Sequence, residues 1–388
     1  MKKKTLSAIF LLVGTAVGSG LITLPMVLSQ IEVLKACGLM LLCTFVAYVA
    51  ALARCELNLQ SKCDFTLEDV GLHFSGKMAA LLGNICLKLL SFSLLSAYIY
   101  GLSAIFIPAN AMLKIIIAGI LFILFLFASS DVLSINKYSC LILMSMVVVT
   151  ATTAYTKIKF TSLSLATDTV MCSNMYVVLP ILFTSFGFHG SLHSLTKFCG
   201  NDAKMIQRAC LWGSSIAASI YFIWYVSITL LLRGVHENSL NPLHVHAWLA
   251  LLKSLIPGYL IEGLVVFTIS TSMMGVGIAL MDDLQRLADR YHLRCRPIAR
   301  RILLSGLTVL PAVVVAVWIP EAFINVLSFS GCILVILAIM LPLFLLSKIS
   351  GKLYFNVLNS GTWRIFLWLF SIGIILCECL HLLKPLST

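Results

Sequence analysis

Two short stretches set glycines and hydroxyls into the middle of otherwise apolar runs, and their chemistry suits a zwitterion. The first reads Gly14-Thr15-Ala16-Val17-Gly18-Ser19-Gly20, with Pro25 following. Glycines this dense weaken a helix by about 1 kcal/mol each relative to alanine. Gly14 and Gly18 lie one turn apart and would also serve as a small-residue packing face, whereas Gly20 falls off that spacing, as in an unwound segment. The second stretch is Pro180 and then Thr184-Ser185-Phe186-Gly187-Phe188-His189-Gly190-Ser191, for which a plain kinked helix is the alternative. Unwound backbone inside a bilayer survives only against protein or a water-filled cavity. There a half-helix N-terminus offers N–H groups to a carboxylate, and freed carbonyls suit an ammonium or a cation. Ligand contacts are therefore expected from Gly14, Thr15, Gly18, Ser19, Gly20, Phe186, Gly187 and Phe188. Tyr98, with Tyr100, could add an aromatic wall, although in a chain with 22 phenylalanines any one ring also reads as packing.

A second set of residues could move a proton or hold a cation. Lys88 sits about ten residues into an apolar run, where an ammonium costs about 2.5–3.5 kcal/mol on insertion scales and should face protein or water. Asn84, Lys88, Ser91 and Tyr98 fall within roughly ±40° of one another on a helical wheel, a polar stripe. Lys88 could titrate, occupy a cation site, pair with a carboxylate, or be a structural buried charge. His189 is the other proton candidate, since imidazole titrates near physiological pH; a hydrogen-bonded histidine that shapes the break reads equally well. Thr268, Ser270, Thr271 and Ser272 could ligate sodium with carbonyls of the first break, or bond their own helix. Glu262 and Glu378 lie toward the ends of their runs, where interfacial solvation accounts for them. Asp282 and Asp283 could pair with nearby arginines. The 13 cysteines are scattered without a CxxC pair, and Cys377, Cys379 and His381 lack the spacing of a metal site. Neither a metal nor a cofactor is expected.

The elements that carry these residues follow from composition. The chain has 388 residues, 60% hydrophobic and 11% charged, with a mean hydropathy of +1.04. Soluble domains carry about 25% charged residues, so a water-facing surface of this size cannot be built. Apolar runs of about twenty residues match a ~30 Å hydrocarbon core, and strand-type alternation is absent. Reading runs against breaks gives eleven candidate spans: 6–28, 36–53, 78–106, 112–129, 138–155, 175–192, 205–232, 259–281, 302–319, 323–346 and 363–383. The first run is too long for a signal-peptide core, so it is read as a retained span. The formal charge of +12 does not imply nucleic acid. With the N-terminus cytoplasmic, most of the 27 lysines and arginines fall on the inside, which fixes orientation and puts the C-terminus outside. Two connecting stretches stand out. One, 282–301, reads as a basic loop with a short surface helix. The other, 233–257, reads as a polar loop in which His236, His244 and His246 could sense pH or bind zinc.

The breaks lie in the first and sixth spans, so an odd number of spans separates equivalent positions and the second set of five is inverted. Interrupted helices in matching places of two halves point to a transporter's binding site. The stretch GTAVGSGLITLP, Gly14 to Pro25, resembles the first-helix signature of the bacterial aromatic amino acid permeases. LPILFTSFGFHGSLHSL, Leu179 to Leu195, resembles that family's sixth-helix motif, and STSMMGVGIALMDDL, Ser270 to Leu284, its eighth-helix pattern. The resemblance covers nearly the whole chain. It implies an all-α integral membrane fold of the leucine-transporter type: a five-plus-five inverted repeat (1–160 and 173–350) plus one C-terminal helix (360–384). It also implies proton-driven uptake of tyrosine or tryptophan across the bacterial inner membrane; sodium coupling, or another neutral amino acid such as serine or threonine, is the alternative. An intramembrane enzyme would need a nucleophile–base set or HExxH, and an ATP-driven pump a phosphate loop; neither motif is present. A channel would more often repeat pore loops.

Overall fold

A bilayer leaves backbone groups no water to bond, so an apolar run must satisfy its N–H and C=O groups within itself. The computed structural model is accordingly all-helical over its described residues, which are 2–29, 31–61, 67–105, 111–128, 132–156, 175–232, 245–290, 296–319, 323–349 and 351–383. In chain order the helices are α1 (Lys2–Ala16), α2 (Gly20–Leu28), α3 (Val33–Ser61), α4 (Leu67–Ser75), α5 (Lys77–Ser103), α6 (Ala111–Ala128), α7 (Val132–Thr156) and α8 (Met175–Ser185). They continue with α9 (Leu192–Cys199), α10 (Ala203–Leu232), α11 (Val245–Leu255), α12 (Gly258–Arg290), α13 (Pro297–Trp318), α14 (Phe323–Val335), α15 (Leu341–Leu346) and α16 (Gly361–Leu383).

Among the described residues, seven helices are long and apolar enough to cross a membrane, or eight with the bent pair α1–α2 taken as one span. The fourth and sixth expected spans fall on apolar helices that are shorter, and the fifth falls on α7. Both expected breaks are real: α1 and α2 meet at 55°, and α8 gives way to a 3-10 turn, Phe188–Ser191, before α9. A π-helical turn, Ile336–Met340, joins α14 to α15. Pro342 stands just beyond it, and with no N–H of its own it favours a shifted hydrogen-bond register.

The broken helices occupy the middle of the bundle. α1 packs on α10, α7, α9 and α12, while α2 packs on α10 and α8. α8 lies against α14 and α16, and α5 against α12, α13 and α14. Outward faces stay apolar. Ile365, Leu369, Ile372, Leu376 and Leu380 form an exposed stripe along α16 at helical spacing, as a lipid-facing helix should.

Three stretches depart from the sequence reading. α3 runs on past its expected end and buries Arg54, Glu56 and Asn58, because Glu56 accepts the backbone N–H groups of Tyr354 and Phe355 at 3.0 and 3.1 Å. Arg54 is thus buried, bonding Asn58 at 2.7 Å, rather than a solvated loop charge. Part of the expected polar loop at 233–257 is the amphipathic helix α11, in which Trp248, Leu249 and Leu252 are buried. His246 lies on it against Tyr100, whereas His236 and His244 fall outside the described residues. Lastly, α12 continues to Arg290, and its end is tied by Asp283–Arg286 and Asp289–Arg300 ion pairs.

Candidate functional site

At the first break the backbone stays right-handed, with Ser19 at φ −50° and ψ −21°. The chain tightens there: Leu21 N–H bonds the Gly18 carbonyl at 3.0 Å, and Ile22 N–H the Ser19 carbonyl at 3.0 Å. The glycines serve close approach rather than an unusual φ. A Cβ on Gly18 would stand 2.1 Å from Ser272 Oγ of α12. One on Gly20 would stand 2.6 Å from the Tyr221 hydroxyl and 2.8 Å from Ser185 Cβ. At the second break, Phe188 N–H bonds the Phe186 carbonyl at 2.9 Å, and a Cβ on Gly187 would meet the Thr184 carbonyl at 2.7 Å.

Tyr221 of α10 joins the two. Its fully buried hydroxyl lies 2.7 Å from the Ala16 carbonyl and 2.9 Å from the Ser185 carbonyl, the last residues of α1 and α8. It also accepts the Gly18 N–H at 3.3 Å. A helix end leaves carbonyls unsatisfied, and here a single phenol serves both ends. Phe186 meets the Tyr221 ring edge-on at 5.5 Å. One turn further, Trp224 Nε1 donates to the Leu21 carbonyl at 2.6 Å. The sequence reading does not single out Tyr221 or Trp224. Their signal is an aromatic pair at i and i+3 with polar tips, a weak one in a chain this rich in rings.

The other candidates separate into those at the junction and those away from it. Thr15 Oγ1 lies 3.1 Å from Ser191 Oγ, linking the two broken spans a second time. Tyr98 of α5 places its hydroxyl beside Ser19 and Ser272. Ser272 Oγ, although buried, closes no hydrogen bond, and neither does Thr268 Oγ1 one turn along α12. Thr271 turns its hydroxyl back to the Thr268 carbonyl at 3.0 Å, and Ser270 is half-buried on another face, so of that trio Ser272 is the one that meets the break. Gly14 is buried in the last turn of α1, and Phe186 and Phe188 are buried. His189 is buried between the rings of Phe183 and Phe188, against α3 at Ala47, with neither ring nitrogen hydrogen-bonded. Lys88 is half-buried beside the exposed Ile85 and Leu89, and no polar partner reaches it among the described residues. Among those residues no three His, Cys, Asp or Glu side chains converge as metal ligands.

Two interrupted spans, closed over each other by hydroxyls and aromatic rings, are the geometry of a carrier rather than of a catalytic centre. The tryptophan/tyrosine permease family model matches residues 1–378. The chain belongs to the tryptophan/tyrosine permease family. It is therefore a multi-pass membrane transport protein, not an enzyme, consistent with the inner membrane of a bacterium. This permease is 27% identical over 365 residues to Tyrosine-specific transport system 1 of Haemophilus influenzae, covering 89% of this chain and 88% of that protein. It is also 27% identical over 367 residues to Glutamine transporter 2 of Aliivibrio fischeri, covering 91% of each. The fold resembles the crystal structure of an Eremococcus coleocola manganese transporter, with a TM-score of 0.62, 14% identity and coverage of 97% of this permease and 85% of that chain.

Proposed function

We propose that this chain imports an aromatic amino acid, tyrosine or tryptophan, by proton symport across the inner membrane. The observation that carries the reading is the Tyr221 hydroxyl shared between the ends of α1 and α8. It keeps both breaks at one point, where the N–H groups opening α2 face a substrate carboxylate and nearby carbonyls face the ammonium. Gly18, Ser19, Gly20, Phe186 and Gly187 frame that point; Thr15, Phe188 and Tyr98 border it. The side-chain rings of Phe186, Tyr98 and Tyr221 supply the apolar, aromatic walls that small-molecule sites use. Lys88 and His189 are the coupling candidates that the sequence offers this reading. We further assign eleven spans, with 1–160 and 173–350 as inverted repeats and 360–384 as the added helix. The N-terminus is cytoplasmic and the C-terminus outside.

A sodium-coupled version of the same carrier is favoured by one observation. Thr268 and Ser272 bury hydroxyls without partners, and an unpaired buried hydroxyl is costly enough that a cation held with carbonyls of the first break would relieve it. A second substrate reading, glutamine, follows from the relative named for it.

Proteoliposomes loaded under an imposed pH gradient, then under a sodium gradient, decide among these. Accumulation of labelled tyrosine or tryptophan driven by inward protons supports the proposal. Accumulation that needs sodium moves the coupling site to Ser272. Active vesicles in which glutamine, but no aromatic amino acid, competes would sink the aromatic assignment.

A further inference from the structure

Glu378 does not sit in the interface as its sequence position implies. It is 3% exposed on α16, and its carboxylate accepts the hydroxyl of Ser328, which is fully buried on α14. A carboxyl group enclosed this way within a membrane helix is a functional group by default, because the bare charge is costly to bury. The groups around it are few. His381 lies one turn further along α16, half-buried, with a buried Nδ1 that has no partner. Cys332 faces it from α14, and Cys377 is its neighbour on α16. α8 carries one titratable side chain, Tyr176 at its outer end, and the π-turn and the segment Asn356–Asn359 carry none. Among the described residues no lysine or arginine pairs with Glu378.

This group is joined to the second break. Thr184 Oγ1, whose shorter hydrogen bond goes to the Pro180 carbonyl of its own helix at 2.8 Å, also reaches the carbonyl of Leu327, next to Ser328, at 3.2 Å. α14 and α8 touch through their backbones there, since a Cβ on Gly331 would lie 2.3 Å from the Pro180 carbonyl. Thr184 precedes Ser185, whose carbonyl Tyr221 binds. The path from Glu378 to the substrate point thus runs through the hydroxyls of Ser328, Thr184 and Tyr221, joined by one peptide step on α14 and one on α8.

We propose that Glu378 on the C-terminal helix takes up the coupling proton, entering past His381, and passes its state to the broken helix α8 through Ser328, Leu327 and Thr184. The inference rests on the proton-symport reading above. Its chemistry is a reversal of one hydrogen bond. An ionised Glu378 accepts from Ser328. Once it gains a proton from the outer solution it donates to Ser328 Oγ, and the serine proton turns to the carbonyl of Ile324, one turn back, as Ser330 bonds Val326 at 2.7 Å. One proton enters and no other bond is broken. Lys88 and His189 are less suited: the lysine has no polar link to either break, and the histidine is boxed by two phenylalanine rings.

The test compares Glu378→Gln and Ser328→Ala with the wild type in proteoliposomes, reading proton-driven accumulation, its pH profile, and exchange of labelled for unlabelled tyrosine at equal pH. Glu378→Gln is expected to lose accumulation about tenfold or more, a coupling effect of the usual size, with a flat pH profile and exchange retained. Ser328→Ala cuts the same relay and should also lose accumulation, with exchange retained. Wild-type accumulation and pH profile in Glu378→Gln would overturn the proposal. So would loss of exchange in Glu378→Gln alongside a wild-type Ser328→Ala, which marks a purely structural carboxyl. The wild-type arm judges the underlying reading separately: accumulation driven by sodium alone refutes proton symport, and the Glu378 proposal with it, before any variant is compared.

Discussion

Tyr221 has one hydroxyl proton and two carbonyls within its reach, so its removal leaves the ends of α1 and α8 unserved together. Tyr221→Phe removes the one proton those two carbonyls share and the acceptor of the Gly18 N–H, at about 1–3 kcal/mol for a buried group left unpaired. We expect transport to fall tenfold or more, since about 1.4 kcal/mol is a tenfold change. The protein should still insert, which uptake assays beside a detergent melting curve would check. Gly18→Ala should abolish uptake because its methyl group would overlap Ser272 Oγ, and Gly18→Ala combined with Ser272→Gly should restore part of it. An inactive double variant with a normal melting curve would mean that the glycine acts through backbone flexibility instead. The positions of both breaks were legible in the sequence from glycine and hydroxyl density alone. Why the glycines are needed was not, because the reason lies on α10 and α12, whose side chains fill the space a Cβ would take.

Elements hold the breaks in place through contacts that charge and hydropathy conceal. Arg54 and Glu56 read as a loop because charged residues normally end a span, yet Glu56 is buried and holds the backbone of Tyr354 and Phe355. It fastens the end of α3 to the connection before α16, and Gln60 adds an amide donor at 2.8 Å. Glu56→Ala should lower the melting temperature clearly, because two buried N–H groups lose their acceptor at about 1–3 kcal/mol each. Glu56→Gln keeps an acceptor oxygen and should lose less; equal melting of the two variants would argue that the charge, not the acceptor, matters. Glu378 illustrates the same blindness. Its distance from the helix end predicts solvation, and only the packing of α16 on α14 and α8 reveals that protein covers it. The helical class, the breaks and the matching of most spans to helices follow from apolar run length; α4, α11 and the π-turn do not, being too short or too local to leave a hydropathy signal.

At the scale of the molecule, the eleven spans we propose would place the two termini on opposite faces. A reporter that fluoresces only in the cytoplasm should therefore shine on the N-terminus and stay dark on the C-terminus, and an alkaline phosphatase fused to the C-terminus should be active. Fluorescence from both ends would remove one span from the assignment. The exposed apolar stripe on α16 predicts that this helix meets lipid along one side while its other side carries Glu378. α12 is the longest of the described helices. Its 33 residues rise about 50 Å, against ~30 Å for the hydrocarbon core. Ser272 sits near its midpoint, and Arg290 is about 27 Å further along the same rod. A tilt of roughly 5° about the buried serine would sweep that tip by about 2 Å, given the rigid rise of a helix. A spin label on the overhanging end would therefore work as a pointer on a dial, letting rearrangements at the enclosed junction be timed from the water outside.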